Sequence, residues 1–96
     1  MSQEIPTSPV VHNEPKSRFE MEVGGQLAVA EYRRDGDRMV FTHTEVPPQF
    51  RGHRLAERIV LFGLDVARRE NLRVVPLCSY VAHVLQRHPE YRKLAG

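Results

Sequence analysis

The sequence predicts an α+β fold: an antiparallel three-stranded meander followed by a helix, a parallel strand and a C-terminal helix. Three observations predict it. Apolar residues alternate with period 2 as far as Val46; Gly24-Gly25 and Asp35-Gly36-Asp37 punctuate that stretch as turns; and beyond Pro47-Pro48 the apolar period lengthens to that of a helix.

Ninety-six residues allow one hydrophobic core and no second domain. Residues 1–16 read as a flexible leader, because Pro6, Pro9 and Pro15 stand among polar groups with no periodic face to bury. Residues 17–96 then form the folded domain. There Phe19, Met21 and Val23 alternate with Arg18, Glu20 and Glu22 as a half-buried strand, and Gly24-Gly25 supplies a two-residue hairpin turn. The run Gln26 to Arg34 places Ala28, Ala30 and Tyr32 on one face and Leu27 and Val29 on the other. After the second turn, Arg38 to Val46 puts Met39, Phe41, His43 and Glu45 on one face and Val40, Thr42, Thr44 and Val46 on the other.

Past the prolines, Leu55, Ile59, Phe62 and Val66 recur at helical spacing, with Glu57, Arg58, Asp65, Arg68 and Arg69 on the opposite side. Ala56, Gly63 and Ala67 form a row of small residues that lets the helix axis lie close to a sheet, and Asn71 is its stop signal. Leu72 to Leu77, short and valine-rich, reads as a fourth strand buried on both faces, joined in parallel to the third by a right-handed crossover. Ser79 is placed to cap a last helix that turns Val81, Val84 and Leu85 inward and ends before His88-Pro89. Tyr91 is expected to pack back on the sheet, and 90–96 are too few to assign.

Composition removes several function classes. With 41% hydrophobic and 27% charged residues the chain is neither fibrous nor disordered overall. A net charge of +2 is too mild to argue for nucleic acid. Cys78 is the only cysteine, which excludes an intramolecular disulfide and points to a reducing cytoplasm. No run approaches the roughly 18 apolar residues of a membrane span, so no membrane association is expected. Five histidines raise the question of a metal. His83 and His88, five apart, diverge on a helix and Cys78 has no cysteine partner, so no metal site is expected.

The stretch Val46 to Ala56 carries the chemistry. The first N–H groups of a helix lack partners and the dipole makes that end positive, so the entrance is a candidate anion site. Gly52 permits close approach of the backbone, and Arg51, His53 and Arg54 add donors. The plainer reading has the prolines ending a strand, Gly52 turning the chain and the arginines solvated.

Four segments together carry a resemblance: the loop Arg51-Gly52-His53-Arg54-Leu55-Ala56, His43-Thr44-Glu45-Val46-Pro47, Val75-Pro76-Leu77-Cys78 and His88-Pro89-Glu90-Tyr91. In this order of elements, roughly residues 17 to 95 resemble the minimal, single-domain GNAT-like N-acetyltransferases. The resemblance implies acetyl-CoA as co-substrate, its pyrophosphate cradled by Arg51, Gly52, His53, Arg54, Leu55 and Ala56. It also implies a pantetheine arm paired with backbone around Glu45 and Val46, and transfer of acetyl to an amine of unidentified parentage. The family loop runs Arg or Gln, two variable residues, Gly, one variable residue, then Gly or Ala. Here Arg54 stands where the second glycine is usual, so its side chain either narrows the cradle or adds a charge-assisted bond to phosphate.

The resemblance also implies Cys78 as an acetyl acceptor. A position before a helix start lowers a thiol pKa from about 8.5, whereas an apolar-flanked lone cysteine is otherwise inert core. His43 and Glu45 are candidates for a general base or for holding a water, and equally for a half-buried structural pair. A different class of function, a non-catalytic CoA-sensing or protein-interaction module of the same fold, is favoured by Arg54. Binding of a nucleic-acid backbone through the basic loop is a third, marked by steep salt dependence.

Overall fold

The computed structural model describes residues 5–95 and is built on one five-stranded sheet with strands in chain order. β1 (Val11–Asn13), β2 (Arg18–Val23), β3 (Gln26–Asp35) and β4 (Arg38–Glu45) pair antiparallel in succession. β5 (Arg73–Pro76) lies parallel to β4, reached through α1 (Leu55–Arg69), and α2 (Ser79–Arg87) follows it. Both helices share one core with the inward residues of the sheet, among them Phe19, Phe41, Ile59, Leu64, Val81 and Val84. The α+β class and the parallel pairing of β5 with β4 across a helix are thus as the sequence predicts.

The leader is where sequence and structure part. Its residues 1–4 lie outside the described residues, but from Pro6 the chain is held to β2. The Gly24 N–H donates to the Pro6 carbonyl at 2.9 Å, the Ser8 N–H donates to the Glu22 carbonyl at 2.9 Å, and Val11–Asn13 pair with Glu20, Phe19 and Arg18. The meander therefore has four strands. Three residues are too few to display a period, and prolines are tolerated beside an edge strand whose outer N–H groups need no partner. His12 fixes this strand: its ring stacks on Phe19 with centroids 4.4 Å apart, and Nε2 is 2.6 Å from the Tyr32 hydroxyl.

A second correction concerns β4. Tyr32 pairs with Phe41 but Glu31 with His43, so Thr42 is an extra residue on β4, a β-bulge. The inserted residue shifts the alternation by one. Met39 and Phe41 are buried, yet His43 and Glu45 do not share their face; their side chains are 55% and 61% exposed, 3.4 Å from each other. Thr44 and Val46 take the inward positions instead.

α1 lies as close to the sheet as its small residues predict. A Cβ on Gly63 would come within 2.8 Å of the Phe19 ring and 3.1 Å of Phe41. Asn71, with φ +56°, ends the helix: the Leu72 N–H donates to the Ala67 carbonyl at 2.8 Å and the Asn71 N–H to that of Arg68 at 3.3 Å, a Schellman arrangement. At α2 the cap is Cys78 and not Ser79, which is already the first helical residue. Tyr91 sits in a 3₁₀ turn, Pro89–Leu94, and packs on α1, not on the sheet. Its hydroxyl donates to Asp65 Oδ1 at 2.7 Å, with the Arg68 guanidinium 5.1 Å from the ring centroid. Among the described residues no helix is long and apolar enough to cross a membrane.

Candidate functional site

The site begins where two strands stop keeping company. β4 and β5 pair from Arg38↔Arg73 to Phe41↔Pro76, and the Cys78 N–H makes one further bond to the Phe41 carbonyl at 3.0 Å. Beyond it β4 runs on to Glu45 without β5 beside it. The chain then turns through Val46, Pro47 and a 3₁₀ turn, Pro48–Phe50, into the loop before α1.

A cavity of about 410 Å³ opens there. The end of β4 contributes Thr44 and Glu45, with Val46 following. Phe50, Arg51, Gly52 and Arg54 come from the loop, and Leu55, Ala56 and Glu57 from the first turn of α1. Tyr80 and Arg87 on α2 form the opposite wall. Of the residues singled out in the sequence, Glu45, Val46, Arg51, Gly52, Arg54, Leu55 and Ala56 line this cavity. His53 and His43 are exposed and outside it, and Cys78 adjoins it through Thr44.

Backbone geometry explains the loop's residues. Gly52 has φ +88°, a left-handed angle that glycine meets without strain, and a Cβ there would meet no protein atom within 4 Å. Arg54, the residue before the first turn of α1, is itself left-handed, at φ 59° and ψ 24°. For an L-residue with a Cβ this conformation costs about 1 kcal/mol, which glycine would not incur. No side chain caps α1, which leaves its first N–H groups to the cavity. Arg51 braces the loop by donating from Nε to the Val46 carbonyl at 3.3 Å.

Two groups at or beside the cavity have shifted pKa values. Burial works to raise the Cys78 thiol, but the Thr44 hydroxyl and the backbone N–H groups of Val81, Tyr80 and Thr44 outweigh it, and the pKa is lowered. Thr44 Oγ1 is 3.5 Å from the sulfur. Tyr80 is shifted upward by burial and, after it, by the negative charge of Glu57, so its hydroxyl keeps its proton. One trio with metal-ligand chemistry does come together among the described residues: His12, Glu14 and Glu70. Both carboxylates are exposed, and the His12 ring is engaged by Phe19 and Tyr32.

Sequence reading missed Thr44, Glu57, Tyr80 and Arg87. Thr44 was hidden by the bulge, and Glu57 by its place among the charged residues of α1. Tyr80 and Arg87 did carry a signal, since seven residues apart on a helix they share a face.

A sheet whose fourth strand outruns the fifth, facing an uncapped helix entrance flanked by arginines, is the architecture of an acetyl-transfer domain. The family described as GCN5-related N-acetyl-transferase matches residues 18–94, and the chain belongs to it. Among proteins similar to it is Protein NATD1 of Bos taurus, 31% identical over 83 residues that make up 83% of this chain and 74% of that protein. NATD1 of Homo sapiens is 30% identical over 83 residues, 83% and 74% of the two chains. NATD1 of Danio rerio is 29% identical over 87 residues, 85% and 79%.

Proposed function

We propose that this chain is an acetyl-CoA-dependent N-acetyltransferase that carries the acetyl group on Cys78 before passing it to an amine, on a small molecule or a protein. The observation that carries the reading is the adjacency of three features. An uncapped, arginine-flanked helix entrance and a strand end with no neighbour border one cavity, and a thiol of lowered pKa adjoins it through Thr44.

Acetyl-CoA supplies an activated thioester; the chain supplies the rest. Arg51, Arg54 and the first N–H groups of α1 suit the diphosphate, and Gly52 keeps the loop's turn. The backbone of β4 past Phe41 offers N–H and C=O groups to the amides of the pantetheine arm. The Cys78 thiolate attacks the acetyl carbonyl; its new C–S bond replaces the one to CoA, which departs as thiolate and takes a proton from Tyr80. The amine nitrogen then displaces Cys78 from the acetyl carbon, and the proton it sheds restores Tyr80. Thr44 and the α2 N–H groups hold the thiolate at both ends of the cycle. A reducing compartment such as the cytoplasm keeps Cys78 in the form this requires.

The test is thermal unfolding with acetyl-CoA followed by intact mass. At a hundred times its dissociation constant the ligand adds about 2.7 kcal/mol of stability. The protein gains one acetyl group, and Cys78→Ala gains none. No shift at millimolar acetyl-CoA overturns the reading, and a shift without any acetyl transfer replaces it with the non-catalytic CoA-sensing alternative.

A further inference from the structure

Glu57 is the one charged residue buried among the described residues, 8% exposed, and it lines the cavity. Its place in the first turn of α1 suits a carboxylate, because the helix dipole is positive there. Burial is the part that needs a reason. Two side chains from the end of α2 meet it: Arg87 Nη1 is 3.2 Å from Oε2, and His88 Nε2 is 3.4 Å from Oε1. Yet Oε2 and His88 Nε2 are both buried without an aligned hydrogen bond, so charge and proximity hold this cluster more than directed bonds do. A buried carboxylate left in that state is costly for stability alone.

Arg87 is placed differently from its partner. Its side chain is 44% exposed and lines the same cavity, and Glu57 engages only one edge of a five-donor fork. It ends α2, whose other end is capped by Cys78. Nine helical residues at 1.5 Å each put Arg87 roughly 13 Å along the helix from the thiol. That is the end of the cavity at which α1 begins.

We propose that Glu57 is a positioning residue that holds Arg87 as a phosphate-binding residue, and that Arg87 takes the 3′-phosphate of the acyl donor. The inference rests on the acetyl-CoA reading above. The diphosphate already has the uncapped N–H groups of α1 with Arg51 and Arg54. The remaining anion of the donor is the 3′-phosphate monoester, and the remaining cation lining the cavity is Arg87. Its free N–H groups match two phosphate oxygens at once, and the Glu57 carboxylate fixes the plane in which they are offered. The phosphate would in turn supply the directed bonds that the cluster lacks.

Calorimetric titration with CoA and with dephospho-CoA separates this from a purely structural ion pair. The wild type should bind CoA about tenfold or more tightly than dephospho-CoA. In Arg87→Gln that ratio should fall to near one while the affinity for dephospho-CoA is kept. Glu57→Gln should lower the ratio partway, and Glu57→Gln/Arg87→Gln, which strands no buried charge, should match Arg87→Gln. Equal affinities in the wild type, or a ratio unchanged by Arg87→Gln, would overturn the phosphate assignment while leaving CoA binding intact. Loss of both ligands in parallel would reduce the pair to a fold contact. If the wild type binds neither ligand, the acetyl-CoA reading falls, and this inference with it.

Discussion

Thr44 Oγ1 lies 3.5 Å from Cys78 Sγ, across the seam where β4 outruns β5. The contact exists because of an insertion two residues earlier. Thr42 bulges out of the β3–β4 ladder, and the strand resumes with Thr44, not Glu45, turned towards the core side. One unpaired residue thereby decides which side chain the thiol meets.

The first prediction concerns that thiol. Alkylation of Cys78 by iodoacetamide, followed across pH, should inflect below the roughly 8.5 of a free cysteine, and Thr44→Val should move the inflection upward. The folded-state pKa is depressed, so the thiolate's contribution to stability is full above the unfolded pKa and is lost as pH falls through the folded one. An inflection at or above the free value would contradict the arrangement of Thr44, Val81 and Tyr80 around the sulfur.

The second concerns Arg54 at φ 59°. Arg54→Gly should stabilise the protein by up to about 0.5 kcal/mol, the relief of about 1 kcal/mol of left-handed strain less the roughly 0.5–1 kcal/mol that the greater chain entropy of glycine costs. Urea denaturation measures it. A loss of stability would mean that the arginine side chain contributes more to the loop than its backbone costs.

At Gly63 the helix and the sheet nearly touch. Gly63→Ala should gain up to about 1 kcal/mol in helix propensity but force the Cβ against Phe19, which is enclosed by His12, Tyr32, Phe41 and Phe62. Overpacking of that kind costs about 1–3 kcal/mol, so the net effect should be a lower thermal midpoint.

Tyr91→Phe should cost about 1.5 kcal/mol, since it deletes a hydroxyl that donates to the Asp65 carboxylate. The tyrosine's pKa is raised by burial first and then by Asp65. In Asp65→Asn its ultraviolet titration should therefore shift downward, towards the ordinary value.

Much of this was legible in the sequence because it was local. The periods of 2 and 3.6, the glycine turns, Asn71 as the stop of α1 and the small residues on its sheet-facing side all express themselves over a few neighbouring positions. β1 was not legible, since its place is fixed by backbone bonds to β2 and by a histidine stacking on Phe19. The bulge defeated the reading of His43 and Glu45, because alternation assumes that no residue is inserted. At the loop the turn at Gly52 was legible, but the left-handed angle at 54, met there by an arginine, was not. Glu57 and Arg87 escaped notice because thirty residues separate them, and nothing local in either helix announces the pair.

The bare flank of β4 past Phe41 has a further meaning. A sheet that stops pairing on one side before its strand ends is a fold with a slot left in it, and a ligand that lies there takes the part of a missing strand. Binding then becomes the last step of assembly. The amides between Thr42 and Val46 that point away from β3 would exchange their hydrogens readily in the free protein and slowly in the complex, so that local order and ligand affinity are two readings of one equilibrium.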